Sequence, residues 1–187
     1  MPGKHNPSDA FTGLEAAIVL IAFVVVAAVF AYVILGAGFF TTQKAQETVY
    51  KSVEQSTTNL LLIGNVYGIA SDPSSGIDEV KFSIGLAPGA PTVDLTKLKV
   101  VFSTPSTSPI ILTLGNSSTF TEFTAKEGGA GSSLSSMEQN QQIEINFKVI
   151  PVPVNTQVNI EIRPGIGAAL PFSKTTPATI TTTNIFS

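Results

Sequence analysis

From Phe11 to Phe40 the chain reads FTGLEAAIVLIAFVVVAAVFAYVILGAGFF, and Glu15 is the only charge in the stretch. At roughly 1.5 Å per helical residue, residues 16–40 are long enough to span a hydrocarbon core of about 30 Å. No polar stripe interrupts them, so such a helix demands lipid or other apolar helices on every side. A cleavable secretory signal carries an apolar region of only about 7–15 residues, which this run exceeds. Three uses compete for it. It can anchor a surface domain in a membrane, form the shared core of a helical filament, or dimerise a receptor within the bilayer.

The rest of the composition narrows the chemistry. Of 187 residues only 12% are charged, with 10 Lys+Arg against 13 Asp+Glu. A net charge of −3 excludes the basic face that a nucleic-acid partner requires. The absence of cysteine removes disulfides, iron–sulfur clusters, thiolate metal sites and thiol nucleophiles together. The one histidine, His5, stands in a short polar segment with Pro2 and Pro7, where no preorganised partner accompanies it. Nothing here points to an enzyme.

Behind the apolar run comes TTQKAQETVYKSVEQSTTNLLLIGNVYG, with Val49, Val53 and the Leu60–Ile63 cluster at a loosely helical period. Glu47 and Lys51 form an i,i+4 pair in the favourable orientation. These features predict one helix of about 50 residues. It has a flexible point at Gly36 and Gly38 and ends in a turn near Gly64–Gly68. From Ser71 the period becomes two. Val80–Ile84 and Ile143–Val149 alternate cleanly. Further predicted strands are Thr92–Phe102, Pro109–Leu114, Thr119–Thr124, Gln157–Ile162 and Ala178–Asn184, separated by Pro-, Gly- and Ser-rich turns. The fold class is α+β: a long N-terminal apolar helix carrying an antiparallel β-sandwich or barrel.

The start of the helix carries a more specific signal. A polar leader ends in Ala10, and Phe11, three residues and Glu15 follow immediately before the apolar run. This resembles the class III signal segment of the type IV pilin superfamily, with Phe at mature position one and Glu at position five. The segment from Phe11 to Gly68 is similar to the N-terminal helix of archaeal flagellins (archaellins) of the methanogen type. The resemblance implies a leader over 1–10, a filament-core helix over 11–68 and an immunoglobulin-like outer domain over 69–187. It implies a membrane-inserted precursor cut between Ala10 and Phe11 by a prepilin-type signal peptidase. The product is a subunit of an extracellular swimming filament, polymerised with itself and with sister archaellins and turned by a motor and export ATPase complex. An adhesive archaeal pilin and a membrane-anchored surface domain are the alternatives. The leader departs from the family pattern, since Ser8-Asp9-Ala10 replaces the usual basic residue and glycine, and Lys4 is its one firm positive charge. Cleavage after Gly13 would move Glu15 to mature position two and lose the spacing.

By the same analogy, the α-amino group freed at Phe11 is the counter-charge for Glu15 of a neighbouring helix. That pairing removes two costly buried charges and sets axial register. Ala27 and Ala31 form a small-xxx-small pair that permits close helix approach, and Gly36 and Gly38 extend the small-residue content of the run.

Candidates for chemistry in the second half are few. Asn116-Ser117-Ser118 is the chain's one Asn-x-Ser/Thr tripeptide with no central proline, a candidate N-glycosylation acceptor. Archaellins are often glycosylated, which the resemblance extends to Asn116. Asp72, Asp78 and Glu79 lie in a Ser/Gly-rich loop but lack the spacing of an EF-hand. Gly128-Gly129-Ala130-Gly131 lacks the Lys-Ser/Thr of a phosphate loop, and Gly165-Ile166-Gly167 precedes no helix. The Thr-rich run 175–183 reads as a β-branched strand, with O-glycan attachment as the other reading. Phe102, Phe120, Phe123, Phe147 and Phe172 read as core. No metal site, cofactor or catalytic group is assigned.

Overall fold

The computed structural model describes residues 7–129, 131 and 133–187, with side chains from Gly13 onward. The chain divides after Tyr50 into two compact units. The described residues of the first lie within helix α1, which runs without a break from Pro7 to Thr57. Proline suits a first helical turn, where its missing N–H would have no partner anyway. Gly36 and Gly38 interrupt nothing. Just beyond them the Thr41 and Thr42 hydroxyls donate to the Ala37 and Gly38 carbonyls at 2.8 and 2.9 Å, folding their polarity back onto the helix.

The helix ends at Thr57, short of the predicted turn near Gly64–Gly68. The Thr58 hydroxyl and amide both donate to the Glu54 carbonyl, at 2.7 and 3.0 Å, and close the last turn. Leu60–Ile69 is strand β1, so the Leu60–Ile63 cluster expected on the helix belongs to the sheet. Gly64 has φ +75° and sits in a bulge where β1 slips relative to its partner between Ile63 and Tyr67. Gly68 faces the Phe186 ring and Ile77, where a Cβ would overlap both side chains.

The second unit, Lys51–Ser187, is a curled β head. After β1 come β2 (Ile77–Leu86), β3 (Val93–Asp94), β4 (Lys99–Thr104), β5 (Thr107–Leu114) and β6 (Glu122–Glu127). They are followed by β7 (Ser136–Met137), β8 (Gln142–Val152), β9 (Gln157–Arg163), β10 (Leu170–Thr175) and β11 (Thr183–Ile185). Nine strands form one sheet in the order β10-β9-β4-β5-β6-β8-β2-β1-β11, and β3 pairs separately with β7. All of its pairings are antiparallel except β5–β6, which meet in parallel at Thr113↔Glu122 and Leu114↔Phe123. That junction divides the sheet into two halves that fold over one core. Phe82 of β2 and Phe147 of β8 come from one half, Phe102 of β4 and Phe172 of β10 from the other. Their rings meet edge to face, Phe82 with Phe172 at 5.4 Å and Phe102 with Phe147 at 5.8 Å between centroids. The far edges also meet, where Thr175 and Ser187 exchange backbone hydrogen bonds of 2.8 and 3.1 Å.

Several predicted strands shift. Thr92–Phe102 is broken by a 3₁₀ turn at Leu95–Lys97, which Asp94 caps by accepting from the Thr96 amide. Of Ala178–Asn184 only the end is strand, because Asn184 is buried and knots the preceding segment. Its amide donates to the Gly68 and Thr181 carbonyls, and its Oδ1 accepts from the Thr181 amide at 2.8 Å. β10 was not predicted. Phe120 is exposed, not core.

Candidate assembly surface

Apart from Glu15, helix α1 carries no charge between Gly13 and Phe40. Every residue from Gly13 to Val53 is exposed, and among them Ile18, Phe23, Phe30, Tyr32, Ile34 and Phe39 are each at least 63% exposed. The head, by contrast, buries Leu60, Val66, Phe82, Phe102, Phe123 and Phe147 to 2% or less. A helix that is apolar all round satisfies its own backbone but leaves its side chains without partners, so it requires an apolar phase supplied from outside the chain. Segment Gly13–Thr57 is long and apolar enough to cross a membrane.

The helical period sorts the predicted packing residues. At 3.6 residues per turn, Ala27, Ala31 and Gly38 fall on one face and Gly36 on the opposite one. Ala27 and Ala31 are one turn apart on that face, Ile34 stands between them and Gly38, and Gly36 does not join them. Glu15 lies at the exposed start of the apolar run, four residues after Phe11. Residues 1–6 of the expected leader lie outside the described residues, as do the side chains of Ala10 and Phe11, whose backbone is already helical. Farther on, where the apolar character fades, Lys44 and Glu47 form an ion pair of 2.7 Å.

In the head the large apolar side chains are mostly buried, and the acidic ones serve local structure. Among the described residues no three His, Cys, Asp or Glu side chains converge as metal ligands. The Asp72 carboxylate accepts from the Ser74 hydroxyl and amide and from the Ser75 hydroxyl, and these bonds hold it below the usual carboxylate range. At Asp78 burial pushes the carboxyl up. The Ser71 hydroxyl and amide, at 2.7 and 2.9 Å, outweigh that and, with the Lys148 charge, hold it low. Both groups are thus turn clamps, and Glu79 instead lies opposite Lys148 on β8. Asn116 is exposed in the loop between β5 and β6, with Ser117 beside it and Ser118 partly covered.

The chain thus consists of a long exposed apolar helix and a β head that buries a core of its own. The family model for archaeal-type flagellin matches residues 10–174, and the chain belongs to that family. It is 38% identical to probable flagellin 1 of Archaeoglobus fulgidus, over 91% of both chains. Among solved structures it is similar to the archaeal flagellum subunit of Methanospirillum hungatei strain JF1, with a TM-score of 0.76 and 31% identity. That likeness covers 94% of this chain and 99% of the other. A flagellin of Methanocaldococcus jannaschii shares the fold, with a TM-score of 0.56 and 18% identity over 69% of this chain and 96% of that one. The likenesses to the Archaeoglobus and Methanospirillum proteins each cover more than nine-tenths of this chain, so the adhesive-pilin and anchored-domain alternatives are not favoured.

Proposed function

We infer that this chain is a structural subunit of the archaellum, polymerised through α1 into an extracellular filament with the β heads outside. The observation that carries this is the uninterrupted exposure of the apolar residues from Gly13 to Val53. Burial at about 25 cal/mol per Å² supplies tens of kcal/mol of gross driving force, much of it offset by association and ordering costs. A contact repeated head to tail without closing propagates as a helix, which is the geometry of a filament.

Before assembly the helix resides in the membrane. A carboxylate at the bilayer centre costs roughly 2.5–3.5 kcal/mol on insertion scales, and Glu15 sits near the end of the run, where the cost is smaller. A prepilin-type peptidase removes residues 1–10, and the new amino group of Phe11 pairs with Glu15 of a neighbour to set register. The Ala27, Ala31 and Gly38 face admits a close neighbour, and Gly36 serves a second contact across the helix. Torque and export energy come from a separate motor ATPase complex, so the filament acts as a passive screw without catalytic chemistry of its own. Asn116 carries an N-linked glycan on the outer surface.

The test uses filaments sheared from the source cells, with intact mass and N-terminal sequence of the subunits and swimming scored before and after. A chain beginning at Phe11, in filaments whose loss stops swimming, is the expected result. A full-length chain retained in the membrane fraction contradicts the assembly reading, and swimming that survives filament loss contradicts the motility reading.

A further inference from the structure

The third residue of the Asn116-Ser117-Ser118 tripeptide holds an unexpected position. The Ser118 Oγ is buried and finds no hydrogen-bond partner among the described residues. A buried hydroxyl without a partner costs free energy on folding, and it is withdrawn from anything that approaches the loop from outside. Asn116 and Ser117 are exposed and line an open polar hollow with Glu122, Ser133 and Ser135.

The loop holding these residues is short and tied at both ends. Residues 115–121 carry the chain from β5 to its parallel neighbour β6, a connection that ordinarily takes a dozen residues or more. On one side the Gly115 amide donates to the Phe123 carbonyl at 2.9 Å, and the Gly115 carbonyl accepts from the Ser133 hydroxyl at 2.6 Å. On the other, the Thr119 amide donates to the Glu122 carbonyl, and the Thr119 hydroxyl oxygen accepts from the Glu122 amide, both at 3.0 Å. The Thr113 amide donates to the Thr121 carbonyl at 3.0 Å. The Gly115–Phe123 and Thr113–Thr121 bonds belong to the β5–β6 junction itself, so the tripeptide is held in place by the pairing that joins the two halves of the sheet.

We propose that Asn116 receives its oligosaccharide before the head folds, and that formation of the β5–β6 junction then closes the acceptor to the transferase. This rests on the reading of Asn116 as a glycosylation acceptor. The acceptor is defined by its asparagine and its third-residue hydroxyl together, so the enzyme must reach both. On the folded head it reaches only the first. In the transfer, the Asn116 amide nitrogen bonds to the anomeric carbon of a lipid-phosphate-linked oligosaccharide. The anomeric C–O bond breaks, the lipid phosphate leaves with the electron pair, and the amide proton passes to a base of the transferase. The folded loop then presents the sugar to solvent from Asn116 and covers the hydroxyl that served as the recognition mark.

The test uses the full chain, produced without glycan and kept in detergent micelles. Membranes of the source cells supply the transferase and the lipid-linked oligosaccharide. One sample is presented folded, the other is diluted from urea at the moment of mixing, and addition at Asn116 is read by peptide mass. At least tenfold more addition to the unfolded sample is expected. Equal addition overturns the timing and leaves the acceptor reading intact. No addition to either sample, with a control acceptor peptide modified and native filaments lacking the sugar mass, overturns both. A second arm uses Ser118→Ala, which is expected to abolish addition while holding or raising the head's Tm. A Tm lowered by several degrees would assign the hydroxyl a structural role and overturn the proposal, whereas Ser118→Thr is expected to keep addition in the unfolded sample.

Discussion

The two units of this chain use the same kinds of side chain in opposite ways. Phe147 in β8 is fully buried among Phe82 and Phe102, whereas Phe23 in α1 is 72% exposed. The head closes its sheet over its own core, so its stability is intramolecular. The helix satisfies its interior backbone by itself and leaves its apolar side chains to be covered by other molecules. A residue's hydrophobicity therefore reports folding in one unit and assembly in the other.

Truncating one phenylalanine in each unit gives the largest separation. Phe147→Ala should destabilise the head by about 3–5 kcal/mol in urea unfolding, through lost burial and the cavity left behind. Phe23→Ala should leave head unfolding unchanged and reduce filament yield in shear preparations. Equal effects of the two on head unfolding would break the comparison. A smaller effect comes from Gly68→Ala, whose Cβ would overlap Phe186 and Ile77. It should cost about 1–3 kcal/mol of head stability by overpacking, while Gly38→Ala, with nothing within 4 Å, should leave the head unaffected.

The smallest effect concerns acid. Asp72 and Asp78 have carboxyl groups held below their ordinary value of 3.8 in the folded head. A depressed folded value means the unfolded chain binds protons first. Their contribution is thus fully present above the ordinary carboxylate range and is lost as pH falls through the lower folded values. The head's Tm should hold steady from neutrality to about pH 5 and decline below about pH 4. Asp78→Asn should lower the neutral plateau and flatten that decline, whereas a slope unchanged by the substitution would remove the Ser71 clamp from the account.

Much of this division was legible in the sequence, because an uncharged run and a switch of period from helical to two are long-range signals. The end of the helix was not. Leu60–Ile63 is a short apolar run that fits either period, and no proline separates it from α1. The glycines held the clue: Gly64 makes a bulge and Gly68 a close approach, which are strand roles rather than helix-ending ones. β10 escaped notice because Pro171 demotes Leu170–Thr175 as a central strand, yet the end of the sheet order is where proline is tolerated. The Asn184 knot and the burial of Ser118 depend on contacts far along the chain, and no local pattern announces them. Among the proposed packing residues, the spacing of Ala27 and Ala31 is visible in the sequence, but the separation of Gly36 from Gly38 required a continuous helix.

The claim that the helix is the buried core and the heads the outer surface can be read by thiol labelling, since the natural chain has no cysteine. Single-cysteine variants Val24→Cys in α1 and Lys99→Cys on the exposed side of β4 would be treated with a water-soluble maleimide in intact filaments and after dissociation in concentrated denaturant. The account predicts that Cys at position 99 labels in both states, and that Cys at position 24 labels only after the filament is taken apart in denaturing conditions. Labelling at position 24 in intact filaments as complete as at position 99 would contradict it.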